Sequence, residues 1–118
     1  MKSYTDIEQS KKLADILLPE SADMWYSYYG NSTYNPTIAY EGEQWFLCQI
    51  RNSFHTDIPC WSLSALLSVL PNGIVMNKDS QNGKYHFSSM YIGTYVTADN
   101  PIDACYDMII KLNEMNLL

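Results

Sequence analysis

Residues 74–112 read IVMNKDSQNGKYHFSSMYIGTYVTADNPIDACYDMIIKL, and this stretch decides the fold class. Ile74-Val75-Met76 is a short β-forming run, and Asn77 to Gly83 is a polar turn. Lys84 to Ser89 and Tyr91 to Thr97 read as two strands with Ser88-Ser89 near the bend; one long bent strand is the alternative. Asn100-Pro101 then opens a helix, with Asn100 as N-cap and Pro101 at the first helical position. Asp103 in the first turn complements the helix dipole. Ile102, Cys105, Ile109 and Leu112 form one apolar stripe at helical spacing.

Upstream, Ser62 is a plausible N-cap for a short helix carrying Leu63, Leu66, Leu67 and Leu70 on its buried side. Trp61 is placed to pack on Leu66 as a hydrophobic staple. Pro71-Asn72-Gly73 ends this helix, and Asn52 to Pro59 reads as a polar loop before it. Met24 to Tyr29 favours an extended strand; Gly30-Asn31-Ser32 and Asn35-Pro36 are turn signals. Ile38-Ala39-Tyr40 and Gln44 to Ile50 read as two strands around Glu41-Gly42-Glu43. At the start, Thr5-Asp6-Ile7-Glu8 fits a capping box for a helix with Ile7, Ala14, Leu17 and Leu18 at helical spacing, stopped by Pro19. The expected class is α+β: an antiparallel sheet of about five strands with three helices mainly on one face. No linker or repeat interrupts the chain, so residues 1–118 are expected to form a single domain.

Hydrophobic residues make up 47% and charged residues 17%, too apolar a balance for a disordered chain. The longest apolar runs, such as Ala65-Leu66-Leu67 and Met108-Ile109-Ile110, fall far short of the ~20 residues that span a membrane. The first residues lack the apolar run of a signal peptide, so the expected location is cytoplasmic, with no membrane association. Cys48, Cys60 and Cys105 are odd in number and widely spaced, which suits reduced thiols rather than a disulfide framework. The net charge is −6, and Lys11-Lys12 is the only adjacent basic pair. Direct nucleic-acid binding needs clustered cations and is not expected; a basic partner is compatible with the charge.

Candidate chemistry is sparse. His55 lies five residues before Cys60, which precedes a helix, so a Cys-His nucleophile is conceivable. No oxyanion-hole motif accompanies it, and a lone Cys more often serves as a small buried hydrophobe. No C-x-x-C or H-x-x-x-H pair supplies a metal site, and no phosphate-binding or cofactor motif occurs. The segment Asn77 to Ser88 fails as a calcium loop, with Asn82 and Ser88 at its Gly and Glu positions. Glu41/Glu43 flank a turn, and Asp103/Asp107 continue to Lys111 as a wet helix face. Asn31-Ser32-Thr33 matches a glycosylation sequon, which without secretion carries no meaning. The reading therefore assigns no catalytic residue, metal or cofactor.

The aromatic content is 14%, including ten Tyr, and it crowds the region of Trp25, Tyr26, Tyr28, Tyr29, Tyr34 and Tyr40. Tyr and Trp are enriched at interfaces because they offer large contact area at small entropic cost, so these six are candidate partner-binding residues. In a half-buried sheet about half of such rings would instead be core.

Three stretches carry a family resemblance: Glu20 to Tyr26, Ile58 to Leu67 with Leu70-Pro71, and Asn100 to Ala104 through Met108-Ile109. In order and spacing they resemble a family of uncharacterised small proteins of gut Bacteroides-type bacteria and their prophages. The resemblance implies a small α+β domain of mobile-element origin. Members of that family often carry Ala at the position of Cys60, which argues against a nucleophile there. The final strands and Asn100 to Leu112 are also similar, at fold level, to antitoxins of the HicB type. The expected function is a non-enzymatic protein-interaction or accessory role, through self-association or an unknown protein partner. The alternatives are an antitoxin-like regulator of a basic partner and a small Cys-dependent enzyme.

Overall fold

The computed structural model describes residues 2–28, 45–48, 57–90 and 93–118. Among them, helix α1 is Ile7–Ala14, a 3-10 turn covers Pro19–Ser21, and strands β1 (Met24–Tyr28), β2 (Trp45–Cys48) and β3 (Ile58–Cys60) follow. Helix α2 (Leu63–Val69) leads to strands β4 (Ile74–Lys78), β5 (Tyr85–Ser89) and β6 (Tyr95–Ala98), and the long helix α3 (Pro101–Glu114) closes the order. The class is α+β with three helices, as expected. The strands form two three-stranded antiparallel sheets, ordered β2-β1-β3 and β4-β5-β6, rather than one sheet of about five.

The division turns on β3, which lies at the edge of the first sheet within the stretch expected to be a polar loop. Its middle residue, Pro59, lacks an amide hydrogen, and a sheet tolerates this only where one side of the strand needs no partner. Among the described residues β3 pairs with β1 alone, Met24 facing Cys60 and Tyr26 facing Ile58. The chain then passes through α2 and begins a separate sheet. β1 is central, and Trp25, Tyr26 and Ser27 are all buried, so both its faces are covered and no polar-apolar alternation marks it.

Helix α1 starts one residue later than the capping box expected at Thr5. Asp6 is the N-cap: its carboxylate accepts the Gln9 amide at 2.8 Å, and the Gln9 side chain accepts the Asp6 amide at 3.2 Å. Thr5 is occupied elsewhere, its hydroxyl accepting from the Trp61 amide at 3.1 Å inside the core. The helix ends at Ala14, well before Pro19, and buries Ile7, Ser10 and Leu13; Leu18 is exposed.

In the second sheet β4 extends to Lys78, and the turn runs through Asp79 to Gly83, where Gly83 adopts φ +71°. β5 and β6 are separate antiparallel strands with Tyr85 facing Ala98, which removes the single bent strand. Tyr91 and Ile92 lie outside the described residues. Helix α3 begins as expected, the Asn100 side chain accepting the Asp103 amide and Pro101 sitting in the first turn. It buries Ile102, Ala104, Cys105, Met108, Ile109 and Leu112, a wider stripe than the four positions read from spacing. Its end is a Schellman motif: Asn116 takes φ 57°, the Leu117 amide donates to the Leu112 carbonyl and the Asn116 amide to that of Asn113.

Among the described residues two clusters of buried side chains result. The larger joins α3 to Leu13, Trp61, Leu66 and Phe87; the smaller joins Ile7, Tyr26 and Cys60 between α1 and the first sheet. Full burial of each large apolar side chain contributes about 1.5–3 kcal/mol, so the α3 stripe is the main anchor of the second sheet.

Candidate functional site

The cysteine that invited a nucleophilic reading sits in a structural node. Cys60 is fully buried, its Sγ 3.6 Å from the Thr5 hydroxyl and 3.4 Å from the Thr5 carbonyl. The Tyr26 hydroxyl donates to the same carbonyl at 2.8 Å, and the Ser10 and Thr5 hydroxyls lie 2.7 Å apart. Burial pushes the Cys60 thiol up to about 11, against the hydrogen bonds of Thr5, Ser10 and Tyr26, so at neutral pH it is a protonated, inaccessible thiol. Cys105, buried on α3, is pushed by desolvation to about 12. His55 lies outside the described residues. The other histidine, His86, projects from β5, its Nδ1 2.7 Å from the Thr97 hydroxyl and its Nε2 3.7 Å from Asp79.

Of the six aromatic candidates, Trp25 and Tyr26 are buried in the structure, with relative exposures of 9% and 2%. They serve the core, and Tyr26 is fixed by its hydrogen bond to Thr5. Tyr28 closes β1 opposite Trp45. Tyr29, Tyr34 and Tyr40 lie outside the described residues, as do the Ile38 to Tyr40 strand, the sequon, and Glu41 and Glu43.

A polar cleft of about 430 Å³ opens where the first turns of α1 and α3 meet the end of β6. Lys2 bridges the two helices, donating to Asp6 and Asp103 at 2.9 Å each, and Gln9 adds a bond to Asp103 at 2.8 Å. Asp103 is thus a half-buried junction rather than part of a wet face. Burial opposes its charge, but hydrogen bonds from Lys2, Gln9 and Asn100 outweigh this and hold its carboxyl below the usual carboxylate range. Asp107, further along α3, is pushed up by burial and by the charge of Asp103. Asp6, Asp99, Asp103 and Asp107 face Lys2 and Lys84 across the cleft, leaving an excess of two carboxylates. Sequence spacing could not reveal this grouping, because Gln9 and Asp103 are 94 residues apart. The sequence showed only that Asp6 and Asp103 each lie near a helix start, read there with Thr5 and Asn100 as the caps.

The third feature is apolar. Met90, Tyr95, Met115 and Leu117 are exposed by 70%, 66%, 43% and 44%. Thr94, just before β6, meets the end of α3, its hydroxyl 3.8 Å from the Met115 sulfur. The Ser89 amide donates to the Thr94 carbonyl, and the Met90 amide to that of Gly73, both at 2.9 Å, which fixes the backbone at this end of the second sheet. Val96 packs on the α3 core, so Tyr95 beside it points to the opposite face of the sheet. No spacing in the sequence sets these four apart from the apolar residues beside them, such as Val96 and Leu118.

Among the described residues no group of three or more His, Cys, Asp or Glu could hold a metal ion, and no helix is long and apolar enough to cross a membrane. Comparisons with protein-family models, curated proteins and solved structures find no match to this chain.

Proposed function

We propose that this chain is a non-enzymatic protein-interaction domain, an accessory protein of a prophage-type element, that associates through the apolar end of its second sheet. The observation that carries this reading is the exposure of Met90, Tyr95, Met115 and Leu117 on a hydrogen-bonded framework. These apolar side chains stay in water on both faces of one sheet end and offer contact area to a partner. Methionine adapts its shape to a partner, and tyrosine adds contact area at low entropic cost. The burial of Cys60 and Cys105 supports a non-enzymatic role over a thiol mechanism. A second reading, an antitoxin-like regulator of a basic partner, draws on the carboxylate excess in the polar cleft.

The test is light scattering of the purified protein and of complexes recovered from its host, for wild type and for Met90→Asp with Tyr95→Ser. Both side chains are exposed, so the variant should keep its circular dichroism and lose the association. An association that survives the variant but dissolves in high salt would transfer the function to the acidic cleft, since screening weakens exposed charge pairs and not apolar contacts. A wild-type chain that stays monomeric with nothing bound would sink both readings.

A further inference from the structure

The chain contains two Asn-Gly steps, Asn72-Gly73 and Asn82-Gly83. This dipeptide is the one most open to spontaneous deamidation, because glycine has no side chain to hinder ring closure onto its own amide nitrogen. Both asparagines are exposed and both glycines have positive φ, +88° at Gly73 and +71° at Gly83. The two sites share the Asn-Gly step and an exposed asparagine, while Gly73 is half-buried and Gly83 exposed; what separates them for ring closure is their hydrogen bonds.

At the second site both reacting groups are held. The Gly83 amide, the nucleophile, donates to the Asp79 carbonyl at 2.9 Å. The Asn82 side-chain oxygen accepts the Lys84 amide at 2.9 Å, and the Asn82 and Gln81 amides both point to the Asp79 carboxylate. Ring closure requires the Gly83 nitrogen to lose its proton and swing onto the Asn82 side chain, so the turn must open first. At the first site, among the described residues, no hydrogen bond holds the Gly73 amide or the Asn72 side chain. Only the Gly73 carbonyl is engaged, accepting the Met90 amide, and that atom takes no part in ring closure.

We propose that Asn72 is a site of spontaneous deamidation in the folded protein and that Asn82 is protected by its turn. The Gly73 amide nitrogen gives its proton to solvent base and attacks Cγ of Asn72. A nitrogen–carbon bond forms, the Cγ–Nδ2 bond breaks, and ammonia leaves with a proton from solvent. The resulting succinimide adds one water molecule. Opening at Cγ gives aspartate, and opening at the main-chain carbonyl gives isoaspartate, with no change of oxidation state. Either product adds a negative charge to the connection between α2 and β4. Isoaspartate also lengthens the main chain there by one methylene, next to the Gly73–Met90 hydrogen bond that closes the base of the β4–β5 hairpin.

The full chain would be aged at mildly alkaline pH and physiological temperature, then digested and read by mass spectrometry with fragmentation that separates isoaspartate from aspartate. The expected result is a gain of one mass unit at Asn72 that runs several-fold ahead of Asn82. In denaturant the two sites should convert at similar rates, because the difference resides in the fold. Gly73→Ala should slow the first site alone. Conversion of Asn82 as fast as Asn72 in the folded chain, or a rate difference that persists in denaturant, would overturn the proposal, as would a folded chain in which neither site converts.

Discussion

Lys2 Nζ and Asp103 Oδ1 lie 2.9 Å apart across 101 residues of sequence, and this pair ties the start of the chain to the first turn of α3. Lys2 also reaches Asp6, the N-cap of α1, so one ammonium group serves the amino ends of two helices. Both carboxylates also complement the dipole of the helix they begin. The pair is partly exposed, with 28% and 36% of the side chains accessible, so screening limits its contribution.

Lys2→Met, which keeps most of the apolar stem, is expected to lower stability by about 1 kcal/mol at low salt and by less at high salt. The pH dependence has a definite sign at each end. The Asp103 carboxyl is depressed, so its contribution is present above the unfolded pKa and lost as pH falls through the folded one, which lies below the ordinary carboxylate range. For Lys2, burial lowers the pKa, but hydrogen bonds to Asp6 and Asp103 raise it further, and the net shift is upward. Its contribution is present below the unfolded pKa and lost as pH rises through the folded value. Thermal melts of both forms across pH should therefore converge in acid. A constant gap down to the acid limit would show that Lys2 acts through packing alone.

A larger effect is expected at Thr5. Its hydroxyl accepts the buried Trp61 amide and lies between the Ser10 hydroxyl and the Cys60 sulfur. Thr5→Val preserves shape but leaves the Trp61 amide and Ser10 without that oxygen, at a cost of about 2 kcal/mol. Tyr26→Phe removes only the bond to the Thr5 carbonyl and should cost about 1 kcal/mol. Urea unfolding followed by Trp fluorescence would rank the two, and a reversed order would mean that Tyr26 is the centre of the node.

The three thiols should separate by reactivity. Cys60 and Cys105 have no exposed surface and their thiols are raised to about 11 and 12, whereas Cys48 is half-buried. In the native protein an aromatic disulfide reagent at neutral pH should modify Cys48 first and reach the other two at the rate of global or local opening. Rapid native labelling of Cys60 would reopen the thiol-enzyme alternative.

What the sequence disclosed follows from where its signals are local. The start of α3 was legible in Asn100-Pro101, and that of α2 in Ser62, because capping is a contact between neighbours in the chain. The turn at Asn77 to Gly83 was legible within two residues. Strand β3 was not, because Pro59 reads as a loop unless one knows that it lies at a sheet edge. The capping box was displaced by one residue, since nothing local tells that Thr5 is claimed by Trp61, 56 positions away. The aromatic run was correctly extended, but burial on both faces of β1 turned Trp25 and Tyr26 from candidate anchors into core. The polar cleft and the exposed apolar end both depend on distant elements meeting, and no spacing rule encodes either.

Helix α2 offers the sharpest contrast between spacing and structure. Leu63, Leu66, Leu67 and Leu70 follow the i, i+3, i+4, i+7 pattern of a single buried face. In the fold that face is rotated: Ala65 and Leu66 are buried, Leu63, Val69 and Leu70 are half-buried, and Leu67 is 41% exposed. The rotation follows from the anchoring of the helix start. Asp23 accepts hydrogen bonds from both the Ser62 amide and its hydroxyl, while the Trp61 indole donates to Ser21 at 2.9 Å, which fixes the angle at which the helix leaves β3. Leu66→Ala therefore opens a cavity beside Trp61 and α3 and is expected to cost about 3 kcal/mol. Leu67→Ala should cost less than about 1 kcal/mol, as for a surface position. Chemical denaturation of both variants reads the difference directly. Equal losses would mean that the face predicted from spacing is the buried one and that α2 is rotated relative to the arrangement described.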